Sequence, residues 1–393
     1  MAKKKASDFR YNTGETKVPW AAVGENYNAE DLMAIVKFMM KGEGEDYDAA
    51  VKAVESAVYA LDKVSEPPAK LSLDAQVAKA EEMCDEFLGT EGCLFVTNCT
   101  AGFEIASKYA NLQPGDEVIV PAITFAATMA YPLSIGCKIV FADVDPKTLN
   151  MDPKDVAKKI TDKTKILVLP FPNNPTGAIM RREDLEAIRD VIIEKDLFVL
   201  SDEIYSELTY QEEHVSPASL EGMWERTLTI NGFSKAYAMT GWRLGYACAP
   251  HIILEQMLKI HQFAIMCAPT TSQYAAVEAL RNGDKDVQEM RESYNQRRRF
   301  LVHTFRKMGL KTFEPFGAFY MFPSIKELGM TSEEFAMELL KREKVAVVPG
   351  TAFGDCGEGF LRISYAYSLE ELKHATDRMA RFVEEIRKEK GLI

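Results

Sequence analysis

Short runs of β-branched and apolar residues recur through the middle of the chain, and segments with helical periodicity separate several of them. The segment before LFVLS, for example, reads EDLEAIRDVIIEKD. The expected strands are CLFVT (93–97), VIV (118–120), KIVF (138–141), ILVL (166–169), LFVLS (197–201), TLTI (227–230) and LGYAC (244–248). Strands that alternate with helices form a mainly parallel sheet with helices on both faces. The sequence therefore predicts an α/β fold, with a large three-layer αβα domain around a mainly parallel, seven-stranded sheet.

The last hundred residues have a different pattern. They contain two strand-like runs, VAVVP and GFLRISYA, followed by the long amphipathic segment SLEELKHATDRMARFVEEIRKEK, with Ser368 as its N-cap. We therefore predict a large domain over residues 41–284 and a smaller α/β domain over 285–393. The N-terminal segment, 1–40, is expected to join the smaller domain. An Ala/Val-rich pattern at 43–64 predicts a further helix, followed by the break EPPAK.

Composition and charge argue against several classes of protein. The chain has 393 residues, of which 47% are hydrophobic, so it can bury a large core. Its formal net charge of −12 argues against nucleic acid as a partner, because a phosphate backbone favours clustered Lys and Arg. The start, MAKKKAS, is not followed by the apolar run of a secretory signal, and no apolar segment is long enough to cross a bilayer. We expect a cytoplasmic protein with no membrane partner.

The cysteines and histidines do not suggest a metal site. The seven cysteines are scattered, odd in number and never spaced as CxxC, so neither a zinc site nor a disulfide framework is predicted. The five histidines are isolated, and none begins a metal-ligand pattern. Structural or surface roles explain them better, and the cysteines are expected to be reduced.

The stretch SKAYAMTGWRLGY (234–246) places Lys235 in an otherwise apolar, glycine-punctuated run. A lysine is almost never fully buried unless it is paired, so Lys235 must reach the surface, pair with a carboxylate or take part in chemistry. If it reacts covalently, it needs a carbonyl partner, and the commonest such cofactor is pyridoxal phosphate. That hypothesis requires a carboxylate for the pyridine nitrogen, donors and a cation for the phosphate, an aromatic partner for the ring, and hydrogen bonds to the phenolic oxygen.

Suitable residues follow the predicted strands. Asp202, in SDEIY, comes directly after a strand, at the carboxyl edge where parallel sheets bind ligands, and Tyr205 can reach the same space. Asn174 stands between two prolines in FPNNPTG. Taken alone, an Asp after a strand is more often a turn or cap residue, and a Pro/Asn/Gly string is more often an ordinary turn. Their combination favours a binding site.

Two further stretches offer partners for an anion and a ring. TNCTAGF (97–103) joins a strand to a helix, where free N–H groups favour an anion, so Thr100 and Ala101 are candidate phosphate ligands. Helix capping by the threonine is the simpler alternative. Phe125, in PAITFAAT, is a candidate to stack on the ring, although a phenylalanine is far more often part of the core.

Two arginines are poorly explained as core residues. Arg243 stands immediately before the strand LGYAC and suits a phosphate, which an arginine binds with two donors. Arg362 lies inside the strand pattern GFLRISYA. It is either half of a buried ion pair or a bidentate clamp for a substrate carboxylate, and the sequence leaves both roles open.

Taken in order, these motifs resemble those of the class I aminotransferases, which are pyridoxal-phosphate enzymes of fold type I. The resemblance runs from about Asp116 to the C terminus and rests on GDEVIV, PNNPTG, SDEIY, NGFSKAYAMTGWRLGYACAP, GAFYMFPS, VAVVPGTAFG and FLRISYA. It implies that Lys235 holds the cofactor as a Schiff base and moves protons between the substrate α-carbon and the cofactor C4′. It also implies a homodimer, because active sites of this family form at the subunit interface.

The resemblance implies a role for each of the other candidates. Asp202 would pair with the pyridine nitrogen, while Tyr205 and Asn174 would bond the phenolic oxygen. Phe125 would stack on the ring. The residues implied for the phosphate are Thr100, Ala101 and Arg243. The residues implied for the substrate are Asn174 and Arg362, the latter as a clamp for the α-carboxylate.

The chain departs from the family pattern in two places. Gly232 stands where many relatives carry a phosphate-binding serine, three residues before the lysine. The front third lacks a GxPDF-like segment, and its stretch LSLDAQVAKAEEMCDEFLG resembles the nucleotide-sugar aminotransferases, a sister branch of the same fold. The front segment normally closes over the substrate, so this departure bears on substrate choice and leaves the expected fold and cofactor unchanged.

The resulting hypothesis is a ping-pong transamination between an L-amino acid and a 2-oxo acid, with Lys235, Asp202 and Tyr205 as catalytic residues. One alternative is a lyase, such as a β-lyase, or a decarboxylase, because the same ring and lysine support several bond cleavages. A lower-ranked alternative is a non-catalytic regulatory protein that binds pyridoxal phosphate. It ranks lower because no DNA-binding domain is visible and the reactive lysine is present.

Overall fold

The computed structural model describes residues 28–64 and 75–392. Most of the predicted N-terminal segment, 1–27, and the predicted break EPPAK lie outside the described residues. The structure therefore bears on the predicted sheet, the closing helix and the candidate site residues, all of which lie inside these two ranges.

The chain divides by compactness into two units, Met1–Asp74 and Ala75–Ile393. The described part of the first unit, residues 28–64, contains two helices, α1 (Ala29–Met39) and α2 (Glu45–Asp62). The helix predicted from the Ala/Val-rich pattern is thereby confirmed. The predicted boundary between residues 284 and 285 is a different division of the chain, and it stays a prediction.

The second unit carries the strands and helices that the alternating pattern predicts. Its strands are β1 (Cys93–Val96), β2 (Glu117–Pro121), β3 (Lys138–Ala142), β4 (Thr164–Pro170), β5 (Phe198–Asp202), β6 (Thr227–Gly232), β7 (Gly245–Cys248), β8 (Tyr320–Met321), β9 (Val348–Pro349) and β10 (Leu361–Ser364). Its helices are α3 (Ala75–Leu88), α4 (Cys99–Tyr109), α5 (Ala127–Ser134), α6 (Pro153–Lys159), α7 (Arg182–Glu194), α8 (Phe233–Ala236), α9 (His251–Ala264), α10 (Thr270–Asn282), α11 (Asp284–Lys307), α12 (Ser332–Glu343) and α13 (Leu369–Glu389). Within the described ranges, none of the helices is both long and apolar enough to pass through a lipid bilayer.

Seven of the strands form one sheet in the order β1-β7-β6-β5-β4-β2-β3. Strand β7 runs antiparallel to both of its neighbours, whereas the other neighbouring strands pair in parallel. Each strand of this sheet corresponds to one of the seven predicted runs. The predicted mainly parallel sheet is confirmed.

Side chains along each strand alternate between two layers of helices, because successive residues of a strand point to opposite faces. On β2, Val118 and Val120 pack in one cluster with Met257 of α9, whereas Ile119 packs in a separate cluster with Leu185 of α7. All five side chains are buried, and burying one such side chain stabilises the fold by roughly 1.5–3 kcal/mol. The predicted three-layer arrangement is confirmed.

Three short strands form a second, antiparallel sheet in the order β8-β10-β9. Its core contains Leu361 of β10 together with Phe335 of α12 and Phe382 of α13, whose rings meet edge to face with their centres 5.0 Å apart. The hydroxyl of Ser368 accepts the N–H of Glu371 at 3.2 Å and caps α13 as predicted. The smaller α/β part therefore has its own core.

The carboxyl ends of β4, β5 and β6 lie side by side. Pro170 pairs with Asp202, and Asp202 pairs with Ile230, in parallel register. Lys235 follows β6 on the one-turn helix α8. Open parallel sheets bind their ligands at this edge, outside the carboxyl ends of the strands. The topology thus brings the predicted carboxylate and the predicted lysine to one edge of the sheet.

Candidate active site

A cavity of about 350 Å³ opens at the carboxyl edge of the large sheet. Both sheets contribute to it, because Asp202 ends β5, Lys235 follows β6 and Arg362 lies on β10. The predicted site residues that line it are Thr100, Phe125, Asn174, Asp202, Tyr205, Lys235, Arg243 and Arg362. Ala101 is not among the lining residues, and its N–H donates to Oδ1 of Asn98 at 3.0 Å.

Lys235 is half-buried, with its amine beside aromatic rings. Its Nζ lies 5.8 Å from the ring centre of Tyr205 and 5.5 Å from that of Phe319. Burial lowers the pKa of the amine; the positive charges of Arg243 and Arg362 add to this effect. The carboxylate of Asp202 opposes it without reversing it. The amine therefore reaches its neutral, nucleophilic form at a lower pH than a free lysine does.

Asp202 presents a carboxyl group whose ionisation is costly. Its Oδ1 accepts the backbone N–H of Ile204 at 3.3 Å. Burial nevertheless raises the pKa of this carboxyl to about 7, and the negative charge of Glu203 acts in the same direction, while Lys235 opposes it. A cationic hydrogen-bond donor at Asp202 would offset this cost, because an opposite charge favours the ionised form.

Arg362 contacts two aromatic rings. Its guanidinium carbon lies 4.8 Å from the ring centres of both Tyr320 and Phe353, and Nη1 donates to Oδ1 of Asn174 at 3.1 Å. Its Nε is buried and has no hydrogen-bond partner among the described residues. Of the two roles that the sequence leaves open, this geometry favours the carboxylate clamp, because buried N–H groups in proteins normally have an acceptor.

The amide of Asn174 is presented by a loop that its neighbour Asn173 holds in place. The buried Asn173 accepts the hydroxyl of Thr176 at 3.0 Å and donates from Nδ2 to the backbone oxygen of Pro170 at 3.3 Å. Gly177 closes the loop with a φ of +72°, where an added Cβ would lie 2.3 Å from that of Pro315. Since Oδ1 of Asn174 already accepts from an arginine, its Nδ2 is left to donate to another acceptor.

Helix α4 begins at the cavity. Asn98 caps it, because its side chain accepts the N–H of Ala101 and its backbone oxygen accepts the N–H of Gly102 at 3.1 Å. Cys99 and Thr100, the first two helical residues, line the cavity. Their N–H groups have no acceptor within a helix of this geometry, so this end favours an anion.

Arg243 contributes a cation to the same end of the cavity. It has a left-handed backbone conformation, with a φ of +56°. One guanidinium nitrogen, Nη1, donates to the backbone oxygen of Thr240 at 2.5 Å, which fixes the side chain against its own loop. The guanidinium is exposed and so retains donors for a ligand.

The departure at Gly232 has a structural reason in this chain. Gly232 pairs with Gly245 across β6 and β7, and an added Cβ would lie only 2.7 Å from Cα of Gly245. A serine at this position would therefore collide with backbone. Ser234, two residues later, supplies a hydroxyl in the cavity lining.

Several lining residues were not predicted. Those with a polar or sulfur atom in the side chain are Asn98, Cys99, Thr128, Ser234, Thr240 and Tyr320. Asn98 carried a usable signal, because asparagine just before a helix is a favoured N-cap. For Tyr320, the sequence contains no signal for a place in the site beyond its position in GAFYMFPS. Its hydroxyl contacts that of Tyr205, which lies 115 positions earlier in the chain.

The side chains in the cavity fit pyridoxal phosphate. A lysine amine with a lowered pKa suits the aldehyde, and the carboxyl of Asp202 gains from a protonated ring nitrogen. The start of α4 and the exposed guanidinium of Arg243 suit the phosphate. The unpaired Nε of Arg362 is left for a carboxylate of the substrate.

Comparisons with known proteins agree on one family. The family model described as aminotransferase class I and II matches residues 42–379. The chain is 50% identical over 275 residues to the putative aminotransferase YugH of Bacillus subtilis, covering 70% of this chain and 71% of that protein. It is 36% identical over 376 residues to the aspartate/prephenate aminotransferase of Thermus thermophilus, covering 92% of this chain and 96% of that protein. The crystal structure of an aromatic aminotransferase from Pyrococcus horikoshii matches with a TM-score of 0.76 and 38% identity, covering 90% of this chain and 94% of that chain.

Proposed function

The chain belongs to the class I and II aminotransferase family, and on that premise we propose how its own residues carry out the reaction. It is a pyridoxal-phosphate-dependent aminotransferase of fold type I, which transfers an amino group between an amino acid and a 2-oxo acid. The observation that supports the residue roles is that Lys235, Asp202 and Arg362 line one cavity. The likeness of the front third to nucleotide-sugar aminotransferases stays a prediction.

The cavity residues bind and orient the cofactor. When bound, pyridoxal phosphate supplies a protonated ring that accepts the electrons released at the substrate α-carbon. Asp202 would pair with the ring nitrogen, whose positive charge would offset the cost of ionising this buried carboxyl. Tyr205 and Asn174 would donate to the phenolic oxygen. Phe125, with about half of its surface exposed, would cover a face of the ring. The residues that would hold the phosphate are Thr100 and Arg243, whereas the N–H of the predicted third ligand, Ala101, already donates to Asn98.

Lys235 has two tasks, covalent attachment and proton transfer. Both require the neutral amine, because a protonated amine is neither a nucleophile nor a base. The surroundings favour the neutral form through burial and through the nearby arginines. With the cofactor and substrate bound, the free amine would be the base that takes the proton from the substrate α-carbon.

Arg362 selects substrates that carry a carboxylate. Its guanidinium is held by two rings and by Asn174, so it is already oriented before the substrate arrives. This supports an α-amino acid as the amino donor and a 2-oxo acid as the acceptor. The relatives named above differ in the side chains of their substrates, so a substrate screen has to decide the side-chain preference.

We also propose the predicted assembly, location and domain division. The family's subunit arrangement supports a homodimer, and the seven cysteines, which are free within the described residues, suit the cytoplasm. Residues 41–284 and 285–393 would act as a large and a small domain. Light scattering of the purified protein tests the dimer, with a mass of one chain, 44.1 kDa, as the contrary result.

A half-reaction screen tests the proposed reaction. The loaded enzyme is mixed with single amino acids and no oxo acid, and both the cofactor absorption and the released oxo acid are measured. Ping-pong transamination predicts a spectral change and about one oxo acid per site before any second substrate is added. Release of ammonia or carbon dioxide would instead indicate the predicted alternatives, a lyase or a decarboxylase. Lys235→Ala should give no turnover, and an active variant would contradict the assignment.

A further inference from the structure

Two tyrosine hydroxyls meet beside the cavity. Tyr205 lies in the turn after β5 and Tyr320 begins β8, and their hydroxyl oxygens are 2.9 Å apart. Both side chains are buried, with 6% and 7% of their surface exposed, and their rings pack edge to face at 5.9 Å. A buried hydroxyl pair at this distance shares one proton between two oxygens, so one tyrosine must donate and the other accept.

The direction of this hydrogen bond follows from the proposed role of Tyr205. A tyrosine hydroxyl has a single proton. If Tyr205 gives its proton to the phenolic oxygen of the cofactor, the contact between the two tyrosines can persist only with Tyr320 as the donor. Burial raises the pKa of both phenols, and the pKa of Tyr205 lies well above its ordinary value. Both tyrosines therefore keep their protons and can donate them.

We infer that Tyr320 is a positioning residue for the reaction: its hydroxyl donates to Tyr205 and strengthens the donation of Tyr205 to the cofactor. Hydrogen bonds in a chain polarise one another, by about 10–30% per bond. The inference rests on the proposed roles of Tyr205 and Lys235. The charged groups that face Tyr205 are Asp202 at the end of β5, Lys235 on α8 and Arg362 on β10.

The ring of Tyr320 has a second contact that the hydroxyl does not share. It lies under the guanidinium of Arg362, with its centre 4.8 Å from the guanidinium carbon. Removing the hydroxyl alone leaves this stacking in place, whereas removing the ring does not. Two substitutions therefore separate the two contacts: Tyr320→Phe affects Tyr205, and Tyr320→Leu affects Tyr205 and Arg362 together.

The test is a pH titration of the visible absorption of the loaded enzyme. Weaker donation by Tyr205 leaves more negative charge on the phenolic oxygen, which then holds the proton on the nitrogen supplied by Lys235 more tightly. Tyr320→Phe should therefore raise the pH of the spectral midpoint by about 0.3 to 0.5 units, in line with the modest strengthening within such a chain. Spectral titration with unreactive carboxylates, maleate and 3-phenylpropionate, should give an unchanged dissociation constant for Tyr320→Phe and at least a fivefold rise for Tyr320→Leu.

Tyr365→Phe is the matched control. Tyr365 is fully buried, and its hydroxyl donates at 3.2 Å to the backbone oxygen of Ala318, two residues before Tyr320. Its loss perturbs the same loop without touching Tyr205, so its midpoint should stay at the wild-type value. An unshifted or lowered midpoint in Tyr320→Phe, or an equal shift in Tyr365→Phe, would overturn the inference. If no variant and no wild-type protein shows a cofactor band, the proposed function itself fails, which is a distinguishable result.

Discussion

Replacing Arg362 with lysine keeps the positive charge but removes the planar fork of the guanidinium. In the structure that fork is fixed by stacking on Tyr320 and Phe353 and by a hydrogen bond to Asn174. A lysine ammonium is a point charge that cannot reproduce the stacking or a bidentate contact. The substrate carboxylate would therefore lose one of two charge-assisted hydrogen bonds.

The size of the expected fall in kcat/KM follows from the loss of that single hydrogen bond. A hydrogen bond to a charged group contributes roughly 1.5–3 kcal/mol, which corresponds to a fall in kcat/KM of about 10- to 150-fold. Because the carboxylate is bound in the ground state and the transition state alike, most of the loss should appear as a higher KM. Steady-state kinetics with the best amino acid from the screen measure it.

A substrate without a carboxylate provides the internal control for Arg362→Lys. The half-reaction with a simple primary amine should change by less than about threefold, since it never used the clamp. A kcat/KM for the amino acid within threefold of wild type would refute the reasoning. So would an equal loss with the amine, because that would mean a general disturbance of the cavity. The Tm and cofactor spectrum of the variant show whether the fold is intact.

Three further predictions concern the support of the site. Because burial raises the pKa of Asp202 to about 7, the folded apoprotein binds more protons than the unfolded chain from about pH 4 to pH 7 and loses stability as pH rises through that range. The Tm advantage of Asp202→Asn apoprotein over wild type should therefore grow from pH 5 to pH 8, and a constant difference would contradict this. Gly232→Ser places a Cβ 2.7 Å from Cα of Gly245 and should cost about 1–3 kcal/mol, whereas Gly241→Ser meets open space; equal Tm values would refute the collision. Asn98→Ala removes the cap of α4 and should lower the free energy of unfolding in urea by about 1 kcal/mol, while Asn98→Ser should restore most of it; full stability without any cap would be the contrary result.

The large sheet was predictable because its strands are short, apolar and buried on both faces. A run such as the one around Val118 and Val120 needs two layers of helices to cover it, and the helical segments between the runs supply those layers. The hydrophobic pattern of the sequence therefore predicts the large sheet without any knowledge of contacts between distant residues. The same reasoning placed Asp202 at the carboxyl edge of that sheet, where it ends β5, whereas Lys235 was singled out by the apolar run around it.

The parts of the site that sequence reasoning missed depend on distant contacts or on a single side-chain conformation. Tyr320 reaches the cavity only because β8 packs near the turn that carries Tyr205, and nothing local encodes that pairing. Whether the N–H of Ala101 is free depends on the direction in which the side chain of Asn98 points. Local pattern identifies a helix start, but it does not tell which of its donors are already used.

The identity of the lysine that carries the cofactor is the most direct test of the whole account. The loaded enzyme is reduced with borohydride to fix the carbon–nitrogen bond, digested, and mapped by mass spectrometry. We predict one reduced pyridoxyl-phosphate group per chain, on the peptide that contains Lys235. A protein that carries no such group, or carries it on another lysine, would contradict the proposed mechanism.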